Sequence, residues 1–398
     1  MAKLNRVFLS LAALSFLGCT TRYSTPEIKG NPPTRAIGIA EVLNQDDINE
    51  IDVLMIHGMC THDKNWVADS NNNLLKVLKI DKKTDASSLQ PTAVFSQTEL
   101  YSLTFEKGNK RLRTHSIVWS PDTVPLKSKL CYDQSAARTG STAYCLGKPD
   151  YPYKRSTLSS LLKSRLLDDC LADAMVFAGP ARQKIMDQVA EAITYAAGIR
   201  APDKARRGLL RQGEAEETPL FIISESLGSK ILFDTLSDMI AKNRERLVSQ
   251  TMARVTQIYM TANQIPVLSL AAPVGGAKLR ETGASGIGTD SLNILLQQLK
   301  TKTAVQPKPR SIKSLLPPGS MQVVAFSDPN DLLSYGLRGS GHEENENYMI
   351  IDVFVSNAPT WFGLVENPLR AHLGYRDNKA VNTIIACGIP EMAGCPAK

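Results

Sequence analysis

Residues 220–223, Leu-Phe-Ile-Ile, form an apolar run with no alternation, and from Leu227 to Ile240 apolar residues recur at helical spacing. The first pattern predicts a parallel strand buried on both faces. The second predicts a helix whose inner stripe is Leu227, Ile231, Leu232, Leu236, Met239 and Ile240, with Lys230, Asp234 and Asp238 on its other face. Further strands are predicted at 51–56, 116–120, 254–262, 321–326 and 348–355. Helices are predicted at 72–80, 158–171, 181–197 and 291–300, with a closing helix after Tyr375. Strands alternating with helices in this way predict an α/β domain with a mostly parallel central sheet flanked by helices. The alternation breaks at about 121–178, a segment read as an insertion bearing cysteines. Residues 200–217 read as a charged loop, 271–288 as a Gly/Ala-rich surface segment, and 264–270 as an apolar loop. The domain is assigned to 51–398, preceded by a tether and N-terminal segment at 20–50, the tether running through about Arg35.

The turn between the first strand and its helix is Ser224-Glu-Ser-Leu-Gly228. It follows the pattern G-x-S-x-G with serine at the first position. A serine at the tip of so tight a turn takes a strained backbone, and small neighbours let strand and helix pass closely. The turn would lift the Ser226 hydroxyl clear of the sheet and set the Leu227 amide beside it at the positive end of a helix. Strand 51–56 runs into His57-Gly58-Met59, a loop placed to supply a second amide, from Met59 or Cys60, to a developing oxyanion. A serine hydroxyl needs an imidazole to take its proton, and the imidazole needs a carboxylate to orient it. Chain order offers Asp331 or Asp328 after strand 321–326 and His372 after the last strand. Asp331 is favoured, with Asp328-Pro329-Asn330 read as the turn. His342 precedes the last strand, so His372 is preferred. His115 reads as structural, His57 as structural or pocket-lining, and His62 as lining the mouth of the site. The spacing His57-x-x-Cys60-x-His62 has metal-ligand types, but Gly58 suits a backbone loop better, and no metal or cofactor is expected.

Lys3 and Arg6 precede a short apolar run, 7–18, that is too short to span a bilayer and has the layout of an export signal. Phe16-Leu-Gly-Cys19 resembles a bacterial lipobox, although Phe16 and Leu17 depart from its usual residues; the resemblance implies acylation at Cys19, in preference to ordinary cleavage or an uncleaved segment. The remaining cysteines, six of the seven, form an even set suited to an oxidising compartment. Short loops suggest Cys131 with Cys145 and Cys387 with Cys395, leaving Cys60 with Cys170; the alternative is that several are free and buried. The net charge of +7 is scattered, with short basic clusters at 204–211 and 308–313. No nucleic-acid module accompanies them, so nucleic acid is not expected as a partner. With 43% hydrophobic and 21% charged residues in 398, the chain has ordinary globular composition.

Strand-His-Gly, S-x-S-x-G, a later aspartate and a late histidine, in this order, resemble the α/β-hydrolase superfamily, with lipases and carboxylesterases the nearest kin. The resemblance covers about 51–385, interrupted by the insertion. It implies an ester hydrolase of the cell envelope with an acyl-Ser226 intermediate, a small-molecule or lipid ester as substrate, and an N-terminal lipid anchor, as in an outer-membrane lipoprotein. The alternative is a weak or inactive hydrolase-fold lipoprotein that binds a partner, suggested by serine in place of the first elbow glycine and by the long insertion.

Overall fold

The computed structural model describes residues 19–20, 25–31, 34–133, 145, 155–198, 218–268, 291–301, 321–340, 342, 348–361 and 364–389. Residues 1–18, read from sequence as an export signal, and the segments read as a charged loop, a Gly/Ala-rich segment and two basic clusters, with Cys395, lie outside these.

Nine strands form one sheet: β1 (Glu27–Lys29), β2 (Glu50–Ile56), β3 (Ala93–Phe95), β4 (Thr98–Lys107), β5 (Lys110–Val118), β6 (Leu220–Glu225), β7 (Val255–Thr261), β8 (Met321–Ser327) and β9 (Tyr348–Phe354). Their order is β1-β9-β8-β7-β6-β2-β5-β4-β3. The six strands from β9 to β5 are mutually parallel. Antiparallel strands close both edges. The helices used below are α1 (Ile39–Leu43), α2 (Lys64–Leu78), α3 (Val124–Lys127), α4 (Ala172–Ala178), α5 (Arg182–Ala196), α6 (Leu227–Ala241), α7 (Glu245–Arg254), α8 (Ser291–Thr301), α9 (Pro368–Leu373) and α10 (Lys379–Cys387).

Side chains along a strand alternate between faces, and here both faces are apolar. Ile51, Val53 and Met55 of β2 enter the core shared with α1, α2 and α10. Leu54 and Ile56 enter the opposite core, shared with α5, α6 and α8. Strand β8 divides in the same way, Val324 and Phe326 to one side and Met321, Val323 and Ala325 to the other. The result is a three-layer α/β/α arrangement, as the strand and helix pattern predicts.

Four local expectations need correction. Helix α2 begins at Lys64 rather than 72: Asp63 caps it by accepting from the Asn65 amide at 2.9 Å. The run Asn71 to Asn73 hides its periodicity, because Asn71 is fully buried and accepts from Thr114 Oγ1 at 2.7 Å. The polar stretch before 113 is a long hairpin, β4 and β5, whose turn has Gly108 at φ +62°. The tether through Arg35 is partly built into the fold. Its residues 27–29 pair with β9, Ala36–Ile37 pair with Gly388–Ile389, and Ile37 is fully buried. Finally, the polar face of α6 is covered by α5: Lys230 and Asp234 are both buried and pair at 2.5 Å, with Arg182 on Asp234 at 2.8 Å.

The segment after β5 contains α3 and a helical stretch over Thr157–Leu161 and Leu162–Leu171 that continues into α4. Cys131 is bonded to Cys145, and Cys60 to Cys170, which ties this segment to the loop after β2. Beside the second bridge the fully buried Lys127 ammonium contacts Asp173 at 2.8 Å, Asp169 at 3.1 Å and Thr61 Oγ1 at 2.7 Å. Burial raises the Asp173 carboxyl to about 6 against this cation. Cys387 is also disulfide-bonded.

At the N-terminal end of the parallel strands Asp52 of β2 is buried. Burial alone would raise its carboxyl, but His115, Arg254 and Arg113 hold it well below the usual carboxylate range. Arg254 donates from Nη2 to Asp52, from Nε to the Thr218 carbonyl at 2.9 Å and from Nη1 to the Ala197 carbonyl at 2.8 Å. One guanidinium thus joins the start of β6, the end of α5 and the centre of the sheet. Arg254→Leu leaves Asp52 and two carbonyls without this donor, and is expected to lower unfolding free energy by about 3–5 kcal/mol in urea titrations.

Candidate active site

The site lies at the C-terminal ends of the parallel strands, where ligands bind in open α/β sheets. The turn after β6 holds Ser226 at φ 51° and ψ −123°, a conformation that L-residues avoid. Its amide donates to the Thr261 carbonyl at 2.7 Å, so the end of β7 holds the turn from one side. The loop after β2 holds it from the other. A Cβ at Gly228 would lie 2.3 Å from the His57 carbonyl oxygen, and one at Gly58 would lie 2.7 Å from the Ser226 Cβ. Neither position has room for a side chain. At the first elbow position, Ser224 is fully buried and its hydroxyl bonds the Ser229 hydroxyl at 2.8 Å. The hydroxyl that departs from the pattern therefore has a partner within the strand-helix junction.

Ser226 Oγ lies 3.1 Å from His372 Nε2. His372 Nδ1 lies 2.9 Å from both carboxylate oxygens of Asp331. The three residues come from the turn after β6, helix α9 and the turn after β8. Asp331 also accepts from the Leu333 amide at 3.0 Å and the Tyr375 hydroxyl at 3.1 Å. All three are nearly enclosed, Ser226 4% and the other two 5% exposed. Asp328 turns away from this line. Its oxygens accept from the Asn330 amide at 2.9 Å and the Asn357 amide at 2.6 Å, as a turn-forming aspartate does.

The Met59 amide is oriented by a residue that sequence pattern assigns to structure or pocket lining. His57 is fully buried, and its Nε2 accepts from the Trp119 amide at 3.0 Å and the Ser120 amide at 3.2 Å. Accepting there leaves the proton on Nδ1, which donates to the Gly58 carbonyl at 2.7 Å. In a trans peptide the carbonyl and the following N–H point in opposite directions. Fixing the Gly58 carbonyl on His57 therefore fixes the Met59 N–H. Among the described residues no acceptor engages the Met59 or Leu227 amide. Burial, with His62 nearby, holds the His57 imidazole well below its ordinary value, so it stays neutral and keeps both roles. His62 donates from Nε2 to the Met59 carbonyl at 3.2 Å; burial lowers it to about 3. With Cys60 in a disulfide and both imidazoles engaged with the backbone, His57, Cys60 and His62 do not form a ligand set.

His115 bonds Ser102 at 2.8 Å on the sheet edge, and His342 bonds Ser340 at 2.9 Å; neither reaches Ser226. Three residues of the site escape a reading by motif. Gln264 is buried after β7, its Nε2 3.5 Å from His372 Nε2 and 3.9 Å from Met59 Sδ. Tyr375 is buried and receives the Asp328 amide at 2.6 Å while donating to Asp331. Glu225 accepts from Trp66 Nε1 at 3.2 Å, and burial raises its carboxyl. It borders a cavity of about 40 Å³ beneath the elbow, with Trp66, Tyr375 and Arg376, large enough for a water but not for a substrate.

Glu366 ties the two loops of the His-Asp pair together. It precedes Asn367, the residue whose side chain caps α9 by accepting from the Leu369 and Arg370 amides. Its Oε2 accepts from Asn330 Nδ2 at 2.7 Å, and Asn330, whose amide donates to Asp328, sets the two carboxyls beside each other. Two carboxyls side by side repel when both are ionised, which favours a proton on one of them. Burial, then the charge of Asp328, pushes Glu366 up to about 7.

Scans of models of known protein families and of the curated proteins find no match for this chain.

Glu366 titrates at 4.5 when unperturbed and higher in the folded protein, so its stabilising effect is complete below 4.5 and lost as pH rises through about 7. Glu366→Gln keeps a donor facing Asp328 at every pH. Between about pH 5 and 8 the melting temperature of the wild type is expected to fall relative to that of Glu366→Gln, as read by thermal melts across that range.

Proposed function

We propose that this protein is a serine hydrolase of the α/β-hydrolase type that cleaves carboxylic esters through an acyl-enzyme intermediate. The observation that carries this reading is the continuous hydrogen-bonded line from Ser226 Oγ to His372 Nε2 and from His372 Nδ1 to Asp331. The strand order supports it too, because the serine, the aspartate and the histidine follow three parallel strands at one end of the sheet.

In this mechanism Ser226 Oγ forms a bond to the acyl carbon while its proton passes to His372 Nε2. Asp331, held by Tyr375 and the Leu333 amide, orients the imidazole and stabilises its charge. The carbonyl oxygen becomes an oxyanion facing the Met59 and Leu227 amides. Collapse of the tetrahedral adduct breaks the ester C–O bond, and the leaving alkoxide takes the proton from His372. Water then gives its proton to His372 and its oxygen to the acyl carbon, releasing the acid and restoring Ser226. A lipid anchor at Cys19 would place this chemistry at the cell envelope.

The binding-module alternative draws on serine at the first elbow position. Its hydroxyl is partnered by Ser229, so that departure gives no specific support to a lost activity.

Hydrolysis of p-nitrophenyl acyl esters tests the reading directly. Ser226→Ala is expected to lower kcat by about 10⁴-fold or more and to abolish fluorophosphonate labelling; unchanged hydrolysis in that variant would refute it. His57→Ala, which frees the Gly58 peptide, is expected to lower kcat by about 10²-fold with a smaller change in KM. Equal loss of kcat in His57→Ala and in a variant of a remote buried residue, tracking melting temperature alone, would remove the positioning role.

A further inference from the structure

We infer that the short hairpin before α9 seats this protein on a lipid bilayer, with the mouth of the Ser226 site turned toward the acyl chains. The hairpin joins Thr360–Trp361 to Val365–Glu366, and Cys19–Thr20 adds a third antiparallel strand in which Cys19 stands opposite Trp361. Within the hairpin, where Thr360 stands opposite Glu366 and Trp361 opposite Val365, paired side chains share a face. Thr360 and Glu366 face inward at 3% and 8% exposure, whereas Trp361 and Val365 face outward at 54% and 63%. Leu364, at the turn, is 85% exposed.

Exposed apolar side chains also stand on the two loops that carry His372 and Asp331, which the Glu366–Asn330 hydrogen bond joins to the hairpin. Leu373, beside His372, is 45% exposed, and Leu332 and Tyr335, beside Asp331, are 71% and 45% exposed. Exposed apolar side chains are ordinary when single, but a contiguous group marks a contact surface. Arg370 is exposed one helical turn before Leu373 on α9, a cation placed to meet anionic headgroups.

The chain itself selects a bilayer as the occupant. The apolar run 7–18 ends one residue before Cys19. With acyl groups at Cys19, as the lipobox resemblance implies, or with the run retained, a hydrophobic element joins the fold opposite Trp361. A tether of that length leaves the hairpin no route away from the membrane surface. Tryptophan suits such a position, with its ring in the acyl boundary and its N–H among headgroups. The substrate class that follows is an acyl ester drawn from the membrane. That half of the inference rests on the hydrolase reading, while the docking surface does not.

The chain has three tryptophans, of which Trp66 and Trp119 are 3% and 0% exposed, so bilayer contact is read selectively at Trp361. The full chain would be mixed with phosphatidylethanolamine/phosphatidylglycerol vesicles with and without brominated acyl chains, and sedimentation, tryptophan emission and p-nitrophenyl butyrate hydrolysis followed together. Sedimentation with the vesicles and loss of roughly a third of the emission to the brominated lipid is the expected result, with the quenching absent in Trp361→Phe. The double variant Leu364→Asp, Val365→Asp is expected to bind vesicles about tenfold more weakly while hydrolysing the soluble ester at the wild-type rate. Failure to sediment, or sedimentation without bromine quenching, would overturn the surface. Quenching with no hydrolysis of the soluble ester would leave the surface standing and remove the hydrolase reading.

Discussion

The site depends on one close approach of backbone to backbone. Ser226 occupies a left-handed conformation that costs of order 1–3 kcal/mol and persists only when its surroundings hold it. Here the holding groups are main chain: the Thr261 carbonyl on the Ser226 amide, and the His57-Gly58 segment packed against Gly228 and the Ser226 Cβ. Because the loop after β2 touches the elbow without an intervening side chain, the position of Ser226 and that of the Met59 amide are fixed by the same contact. The neutral imidazole of His57 extends this coupling to the end of β5 through the Trp119 and Ser120 amides. Three adjacent parallel strands, β5, β2 and β6, are in this way linked at their C-terminal ends.

The other end of the sheet is joined by charge. Arg254 and Asp52 are buried together, and the guanidinium satisfies two carbonyls that the chain leaves open where α5 ends and β6 begins. Buried ion pairs offset their desolvation only when their remaining hydrogen-bonding groups are also used. Arg254 meets that condition with three of its nitrogen atoms. Lys127 meets it in a different place, where its ammonium holds Asp169 and Asp173 beside Thr61, just beyond the Cys60–Cys170 bridge. The insertion is therefore attached to the loop after β2 by a disulfide at Cys60 and hydrogen bonds at Thr61, one and two residues past Met59.

Elements buried on both faces were the most legible in the sequence. Strands β2, β6, β7, β8 and β9 are apolar runs, and their ends lie within a residue or two of those expected. The order of serine, aspartate and histidine was legible as well, and so was the choice of Asp331, because Asp328 sits at the head of an Asp-Pro-Asn turn whose amides it binds. Elements whose burial is polar were not. Asn71, Lys230 and Asp234 are polar yet buried, Asn71 with Thr114 of β5, Lys230 with Asp234 one turn along its own helix, and Asp234 also with Arg182 of α5. The hairpin β4–β5 was missed because its residues alternate with Glu, Lys, Thr and Ser along an edge that the central strands do not share. Gln264, Tyr375 and Glu366 belong to no motif; their places at the site follow from how the loops after β7, β8 and β9 meet, which one chain position does not report.

The pairing of Glu366 with Asp328 gives the site a property beyond its fold. His372 and Asp331 lie on separate loops, and their 2.9 Å contact requires that α9 and the turn after β8 keep a fixed relation. Tyr375 supplies one tie, through Asp331 and the Asp328 amide. The two carboxyls supply another, and Asn330 joins them, donating from its amide to Asp328 and from its side chain to Glu366. The Tyr375 tie persists over the neutral range, since burial and Asp331 hold that phenol well above its ordinary value. The carboxyl tie depends on a proton. The arrangement of the loops that carry Asp331 and His372 is thus sensitive to pH at Glu366, which pairs with Thr360 across the hairpin and directly precedes the cap of α9.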